Sequence, residues 1–363
     1  MSFSDRFSSW RNQLISNAKF QSWAVRNPFT RPLARQKAKA TFDLVAGFVY
    51  SQVLSAALDS GLLEAVRSRT IDETGFAASS GLPLDGASRL LRAAASLELV
   101  RRQADGRYAL GDAGAALLGN PSVFAMVRHH KAFYRDIADP LALLKARRDD
   151  TELSRFWAYE TNTNPEDAAA YSALMAETQA LIAQDVLEAY DFSRHRTVMD
   201  VGGGLGAFLS AVGAAHPAID LVLVDLPPVA KLAADRIAVG PLAARFRIEP
   251  RNMLEDALPG GADLITLIRV VHDHNDAPVA RLLASARKAL APGGSLLIGE
   301  PMAGVRGAEA MADAYFGLYL WAMGRGLART PAQLSQLLQD AGFREIRRLR
   351  TAQPLMVSAI IAR

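Results

Sequence analysis

The run Val198-Met199-Asp200-Val201-Gly202-Gly203-Gly204-Leu205-Gly206 constrains this chain more than any other stretch. Apolar residues of strand character lead through an acid into glycines, and a helical pattern begins at about residue 206. Glycine lets the backbone turn sharply and lets a ligand approach it, and the helix N-terminus behind favours an anionic group. The alternation then repeats. Strands are expected at Thr197–Val201, Leu221–Leu226, Phe246–Pro250, Asp263–Val271, Ser295–Glu300, Arg344–Thr351 and Met356–Ala362, with helices at about 206–215, 228–239 and 277–290. Strand–helix alternation builds a parallel, doubly wound α/β sheet. Only a short segment around Pro354 joins the last two strands, so they form an antiparallel hairpin, because a parallel return needs a long crossover.

Ahead of this domain, residues 196–363, the pattern divides into three stretches. Residues 1–40 read as an arm. They hold eight Lys/Arg (Arg6, Arg11, Lys19, Arg26, Arg31, Arg35, Lys37, Lys39) against Asp5, net +7, so residues 41–363 carry net −3 of the total +4. A basic excess suggests nucleic acid or an anionic membrane, but its confinement to the arm argues against a basic groove across the protein. Six of the 27 aromatic residues lie here (Phe3, Phe7, Trp10, Phe20, Trp23, Phe29), and the first three share one helical face. Such a stripe either lies on an anionic bilayer or packs on the protein's own body or a second copy.

Residues 41–118 read as a compact helical unit with a wing. Phe42 to Leu58 is an apolar helix, and Thr70-Ile71-Asp72-Glu73 is a capping box whose helix stops near Gly81. Leu84 to Leu99 is a second helix, with Leu90, Leu91 and Leu97 inward. Val100–Gln103 and Arg107–Leu110 flank an Asp105-Gly106 turn as two short strands. Helix–helix–hairpin is a winged-helix pattern. Reading DNA would need a basic second helix, whereas Asp85, Arg89, Arg92 and Glu98 cancel there. The pattern favours a dimerisation module and no nucleic acid. Residues 119–195 are mostly helical, interrupted by Thr161-Asn162-Thr163-Asn164-Pro165, and are expected to connect the halves and roof a site.

With no cysteine, disulfides, cysteine-based zinc or iron–sulfur sites and a cysteine nucleophile are excluded. That usage fits a reducing cytoplasm. No secretory signal is expected near the N-terminus. The longest charge-free apolar run, Leu44 to Leu58, is broken by Ser51 and Gln52 and falls short of the ~18–20 residues of a membrane span. A soluble or peripheral protein is expected.

Four motifs carry chemistry. In the glycine segment, Gly202-x-Gly204-x-x-Ala207 satisfies a loose dinucleotide fingerprint, but the acid-x-Gly-x-Gly-x-Gly form set by Asp200 is typical of S-adenosylmethionine (SAM) sites. Asp225 ends an apolar strand 23 residues after Gly202, where an acid accepts hydrogen bonds from ribose hydroxyls of either NAD or SAM; the competing role is a helix N-cap. His272, in Arg269-Val270-Val271-His272-Asp273-His274, stands at the carboxyl end of the fourth strand and suits a general base. A structural histidine, or a metal pair with His274, are the competing readings. Glu300 follows the Pro292-Gly293-Gly294 turn and closes the neighbouring strand, where it would orient His272 or hold its protonated form.

Together these residues resemble the class I SAM-dependent O-methyltransferases of the plant caffeate and hydroxyindole type, over about residues 40–363. The resemblance implies a Rossmann-like sheet preceded by a winged-helix dimerisation domain, SAM as cofactor, no metal and a homodimer. It implies His272 as base and Glu300, 28 residues later, as its assistant. It places Arg251-Asn252-Met253 where the family contacts adenine, with Asn252 in place of an acid, and Arg269 near the cofactor. Two departures stand out: His274 replaces the family's Trp, and the second catalytic Glu falls at Ala328.

Three runs resemble, more narrowly, the O-methyltransferases of purple-bacterial carotenoid synthesis, of the demethylspheroidene (hydroxyneurosporene) type. They are Asn27-Pro28-Phe29-Thr30-Arg31-Pro32-Leu33-Ala34-Arg35 continuing to Gln52, Arg128-His129-His130-Lys131 with Phe133-Tyr134-Arg135-Asp136, and Glu300-Pro301-Met302-Ala303-Gly304 continuing to Gly326. The implied acceptor is the tertiary 1-hydroxyl of an acyclic hydroxycarotenoid, whose length calls for an apolar channel. Candidates are Phe133, Phe156, Trp157, Tyr171, Met175, Phe316, Tyr319 and Met323, each otherwise ordinary core, with His129, His130 and Tyr134 near the hydroxyl end. A phenol, polyketide or tetrapyrrole is the alternative acceptor. A NAD(P) dehydrogenase and a SAM-sensing DNA-binding regulator are the remaining readings. A membrane-dwelling substrate would place the protein at the cytoplasmic face of the inner or photosynthetic membrane.

Overall fold

The structure is a computed structural model in which residues 3–145, 150–157 and 179–363 are described. The chain forms two compact units that meet between residues 119 and 120.

The first unit opens with α1 (Phe3–Ser16), α2 (Ala18–Arg26) and the 29-residue α3 (Arg31–Asp59). Asn17 caps α2 by accepting from the Lys19 and Phe20 N–H groups, and Pro32 starts α3, where a missing N–H costs nothing. After Pro32 no proline follows within it and Gly47 is accommodated in its interior, so α3 runs through residue 40, where composition alone suggests a boundary. By length and composition α3 qualifies as a membrane-crossing helix, unlike the shorter run read from sequence.

Next come α4 (Leu62–Ala65), α5 (Glu73–Ser80), α6 (Leu84–Ser96), the antiparallel pair β1 (Val100–Arg102) and β2 (Tyr108–Leu110), and α7 (Asp112–Leu118). Gly106, at φ 86°, makes the turn of the wing. The cap of α5 differs from the expected box. Asp72, not Thr70, accepts the Gly75 N–H, because Ile71 is drawn into a β-bridge with Tyr108 and Thr70 accepts from Arg107. Helix α6 ends at Ser96, so Leu97 lies at its cap; Leu91 is buried, while Leu90 and Leu97 are partly covered.

The second unit holds α8 (Pro121–Asp136), α9 (Pro140–Lys145), α10 (Glu152–Phe156), α11 (179–189) and a seven-stranded sheet. Its strands are β3 (Thr197–Val201), β4 (Asp220–Asp225), β5 (Phe246–Pro250), β6 (Ala262–Ile268), β7 (Leu290–Glu300), β8 (Ile346–Leu349) and β9 (Ser358–Ala362), in the order β5-β4-β3-β6-β7-β9-β8. The first five are parallel, and β9 inserts antiparallel between β7 and β8. Helices α12 (Ala207–Ala215), α13 (Pro227–Ala238) and α14 (Asp276–Ala289) follow β3, β4 and β6. Successive strand side chains alternate between two cores, with Met199, Val222 and Ile265 in one and Val198, Leu221 and Leu264 in the other.

The strand order reverses between β3 and β6, the switch point at which such sheets bind ligands beyond their carboxyl ends. Strand β6 stops at Ile268, three residues before the sequence-based boundary. Arg269 adopts a left-handed φ of 60°, which ends the ladder.

Candidate active site

The glycine segment closes β3 and opens α12. Gly202, Gly204 and Gly206 take φ values of 72°, 59° and 73°, which other residues reach only with strain. Gly203 is needed for space, since a Cβ there would meet Leu223 Cδ1 at 2.4 Å and Asp200 Oδ2 at 2.5 Å. A Cβ at Gly204 would meet nothing within 4 Å, so this backbone faces open space. Asp225, at the end of β4, fastens the loop: its Oδ2 accepts from Gly204 N at 2.7 Å and its Oδ1 from Leu226 N at 2.8 Å.

Asp200 lies beneath the loop, with one oxygen accepting the Thr266 hydroxyl at 2.6 Å and the other unpartnered. Burial pushes its carboxyl up to about 7, against the Thr266 hydrogen bond and with help from the Asp225 charge. An orphaned carboxyl oxygen beside a cleft suits a cationic ligand group.

That cleft holds about 860 Å³ of space when its open mouth is counted. It is bordered by Asp200, Gly202, Gly204, Asp225, Arg251, Asn252, Met253 and Arg269, all eight of the residues expected to hold the cofactor. Asn252 spends its side-chain oxygen on Leu254 N, an Asx turn that shapes the segment. Gln179, Leu205 and Leu226 also border the cleft, and nothing in their spacing singles them out. A zwitterionic nucleoside fits this donor set. Asp225 suits ribose hydroxyls, the N-terminus of α12 a carboxylate, Asp200 an ammonium, and Met253 a flat base.

His272 stands beside the cleft on a 3₁₀ turn, Val271–Asp273. Three ties hold that turn. Glu300, from the end of β7, accepts Val270 N at 3.1 Å and Val271 N at 2.6 Å through Oε1, while its Oε2 accepts from His272 Nδ1. Arg269 N donates to Gly299 O at 2.8 Å. Arg329, buried, donates to the carbonyls of Val271 at 2.9 Å and His274 at 2.8 Å and pairs with Asp276.

His272 and Glu300 are both buried. Burial pushes the imidazole down, but the charges of Asp273 and Glu300 and the Glu300 hydrogen bond overcome it, and the net shift is upward. Asp273 Oδ1 lies 3.2 Å from Nε2, a charge contact without hydrogen-bond geometry. A carboxylate therefore flanks each ring nitrogen, although Ala328 occupies the position of the family's second Glu. Ala328 packs instead against an aromatic cluster, while neighbouring Leu327 N donates to His272 O at 2.8 Å. His274 borders the cleft, and among the described residues no group of three His, Asp or Glu is set to hold an ion.

The aromatic cluster joins α8, α10 and α15 (Gly317–Ala322). Phe133, Trp157, Tyr319 and Met323 are among its buried members, and Phe156 and Phe316 pack against them. Phe316 reaches His272 edge-on, with centroids 5.7 Å apart. It belongs to a π-helical segment, Ala310–Phe316, a local widening often found at functional sites. His129 and His130 are not free to meet a ligand with Nε2: they engage the Tyr319 and Tyr315 hydroxyls at 2.5 and 2.7 Å. Trp157 Nε1–H also donates to Tyr319. Burial, then the neighbouring His130, pushes His129 down to about 4. Tyr134 stacks edge-on with His130. Tyr171 and Met175 lie outside the described residues.

Comparison with known proteins follows the same division. Residues 138–344 match the O-methyltransferase domain family and residues 42–120 its dimerisation domain. The chain is 42% identical to the demethylspheroidene O-methyltransferase of Cereibacter sphaeroides, across 96% of this chain and 93% of that one. It is 40% identical to the Rhodobacter capsulatus protein of the same name, across 93% and 85%. Among solved structures, a methyltransferase of calicheamicin biosynthesis in its SAH-bound form superposes with a TM-score of 0.73 at 26% identity, covering 90% of this chain and 98% of that one.

Proposed function

The chain belongs to the SAM-dependent O-methyltransferases that carry a dimerisation domain, and from that premise we propose that it methylates the tertiary 1-hydroxyl of an acyclic hydroxycarotenoid. His272 is the general base in this reading and Glu300 its anchor. The observation that carries the roles is the His272 Nδ1–Glu300 contact, buried at the edge of the glycine-loop cleft. Asp200, the glycine loop, Asp225 and the 251–253 segment would hold SAM, whose sulfonium would give up its methyl group, the S–C bonding pair staying on sulfur as S-adenosylhomocysteine leaves.

The chain's residues then have two tasks, to hold the acceptor oxygen in line and to take its proton. Positioning contributes roughly 7–11 kcal/mol when the geometry is near attack, and a base about 10²–10⁴-fold. A tertiary alcohol is a far weaker acid than a phenol, so the proton moves to His272 Nε2 as the new O–C bond forms. With Glu300 accepting Nδ1–H, Nε2 is the nitrogen that presents its lone pair. Asp273 and Glu300 then stabilise the imidazolium from either side. The acceptor hydroxyl must enter beside Asp273 to reach Nε2.

The carotenoid assignment rests on the names of the two relatives and on the aromatic cluster that reaches His272 through Phe316. In this reading residues 41–118 form the homodimer, residues 119–195 roof the substrate site, and residues 196–363 carry the transfer. The enzyme works at the cytoplasmic face of the inner or photosynthetic membrane, where its acceptor resides.

The test is product analysis by mass spectrometry with purified enzyme, SAM and separate hydroxycarotenoid and phenolic acceptors. A methyl ether on the carotenoid, absent with His272→Ala, is the expected result. Methylation of the phenol alone would overturn the carotenoid assignment.

A further inference from the structure

We propose that residues 3–39 form a docking surface for an anionic phospholipid bilayer. Two short helices and the corner after them present aromatic residues to solvent. Phe7 pairs with Trp10, and Phe20 with Trp23, each three residues apart on one helix face. Phe29, at the corner between α2 and α3, is 94% exposed. Phe7, Trp10, Trp23 and Leu33 are exposed along the same short stretch, and bare apolar side chains gathered in this way mark an interaction surface.

The charge pattern selects the partner. All eight cations of this stretch are exposed, against the single acid Asp5. Trp and Phe interleaved with Lys and Arg is the composition of helices that lie in a membrane interface, rings among the headgroups and cations on the phosphates. The rest of the chain carries net −3 and would be repelled by the same surface, so attraction is confined to the arm.

The apolar face farther along α3 fits a different occupant. Phe42, Leu44, Val45 and Phe48 are also exposed, but Phe42–Ser60 contains two Asp and no Lys or Arg. That face has no cationic complement, and it falls within the match to the dimerisation domain, which begins at residue 42. A second copy of the chain covers it. The cations end at Lys39, three residues before that match begins.

The experiment is vesicle flotation of the full-length protein, which reads out independently of the acceptor assigned above. Vesicles of phosphatidylcholine alone are compared with vesicles containing about 30 mol% phosphatidylglycerol, at low and high salt. Each cation near an anionic surface is worth about fivefold in partitioning, so Arg26→Glu/Arg31→Glu/Arg35→Glu is expected to lower it about 100-fold or more. Trp10→Ser/Trp23→Ser/Phe29→Ser is expected to lower it by at least about tenfold. Both variants should remain dimers by light scattering and keep wild-type turnover on detergent-solubilised acceptor. Equal partitioning of wild type onto both vesicle types, or unchanged binding by both variants, would overturn the proposal. So would dissociation of either variant to monomers, because the arm would then be part of the dimer.

Discussion

Replacing Glu300 by Gln separates chemistry from folding at this site. The carboxylate makes three contacts: Oε1 with Val270 N and Val271 N, and Oε2 with His272 Nδ1. Gln keeps the shape and one acceptor oxygen, which can stay on the two backbone N–H groups. Its amide nitrogen then faces Nδ1 and donates to it, so His272 must carry its own proton on Nε2 and lose its lone pair toward the acceptor. Loss of a general base costs ~10²–10⁴-fold in kcat. Substitution of Ala instead leaves two buried N–H groups unpaired, at about 1–3 kcal/mol each. Glu300→Gln is therefore expected to lower kcat at least about 100-fold with SAM affinity unchanged and little change in Tm, whereas Glu300→Ala lowers kcat and Tm together. The pH profile gives a second readout. A base must be unprotonated, and His272 titrates above its usual value of 6.5, so the wild-type rate falls toward acid through a limb above 6.5. Removing the Glu300 charge lowers that titration and moves the limb of any residual activity to lower pH. The assay is transfer from labelled SAM to solubilised hydroxycarotenoid, with calorimetry for SAM affinity and thermal melting for stability. A Glu300→Gln enzyme within about threefold of wild-type kcat, with its acid limb unmoved, would refute the reasoning.

Three further outcomes are expected. Gly204→Ala should weaken SAM binding by calorimetry at only ~1–2 kcal/mol of backbone strain, whereas Gly203→Ala, whose Cβ meets Leu223 and Asp200, should cost mainly folding stability. Arg329→Lys keeps the charge but loses the fork that reaches two carbonyls and Asp276, so Tm and kcat should both fall, by about 1–3 kcal/mol in stability. His129 titrates lower folded than unfolded, so stability holds above pH 6.5 and declines as pH falls from 6.5 toward 4, by at most about 3 kcal/mol; His129→Gln should flatten that decline in urea melts followed across this range.

Much of the site was legible because its parts are local. A strand ending in an acid and glycines, a strand ending in Asp225, and His272 and Glu300 at the ends of adjacent strands are each short patterns. The doubly wound order then brings them to one edge without further information. The contacts that hold the site were not legible. Arg329 reaches a carbonyl 55 residues away at His274, and His129 meets Tyr319 across 190 residues. No periodicity encodes such pairs. The cap at Asp72 departs from the expected box for a related reason, since the tertiary bridge from Ile71 to Tyr108 reassigns the residues of that box.

The amino-acid order by itself determines the alternating strands and helices, the antiparallel ending and the residue types at the carboxyl edge. Backbone propensity and side-chain period act over only a few residues, and they suffice for those features. Tertiary structure alone decides that Arg269 turns left-handed and ends β6, that Asp273 takes up the side of His272 opposite Glu300, and that two histidines are engaged by tyrosines. Those outcomes depend on which buried polar groups find partners once distant segments pack, and burial makes each pairing, or its absence, matter.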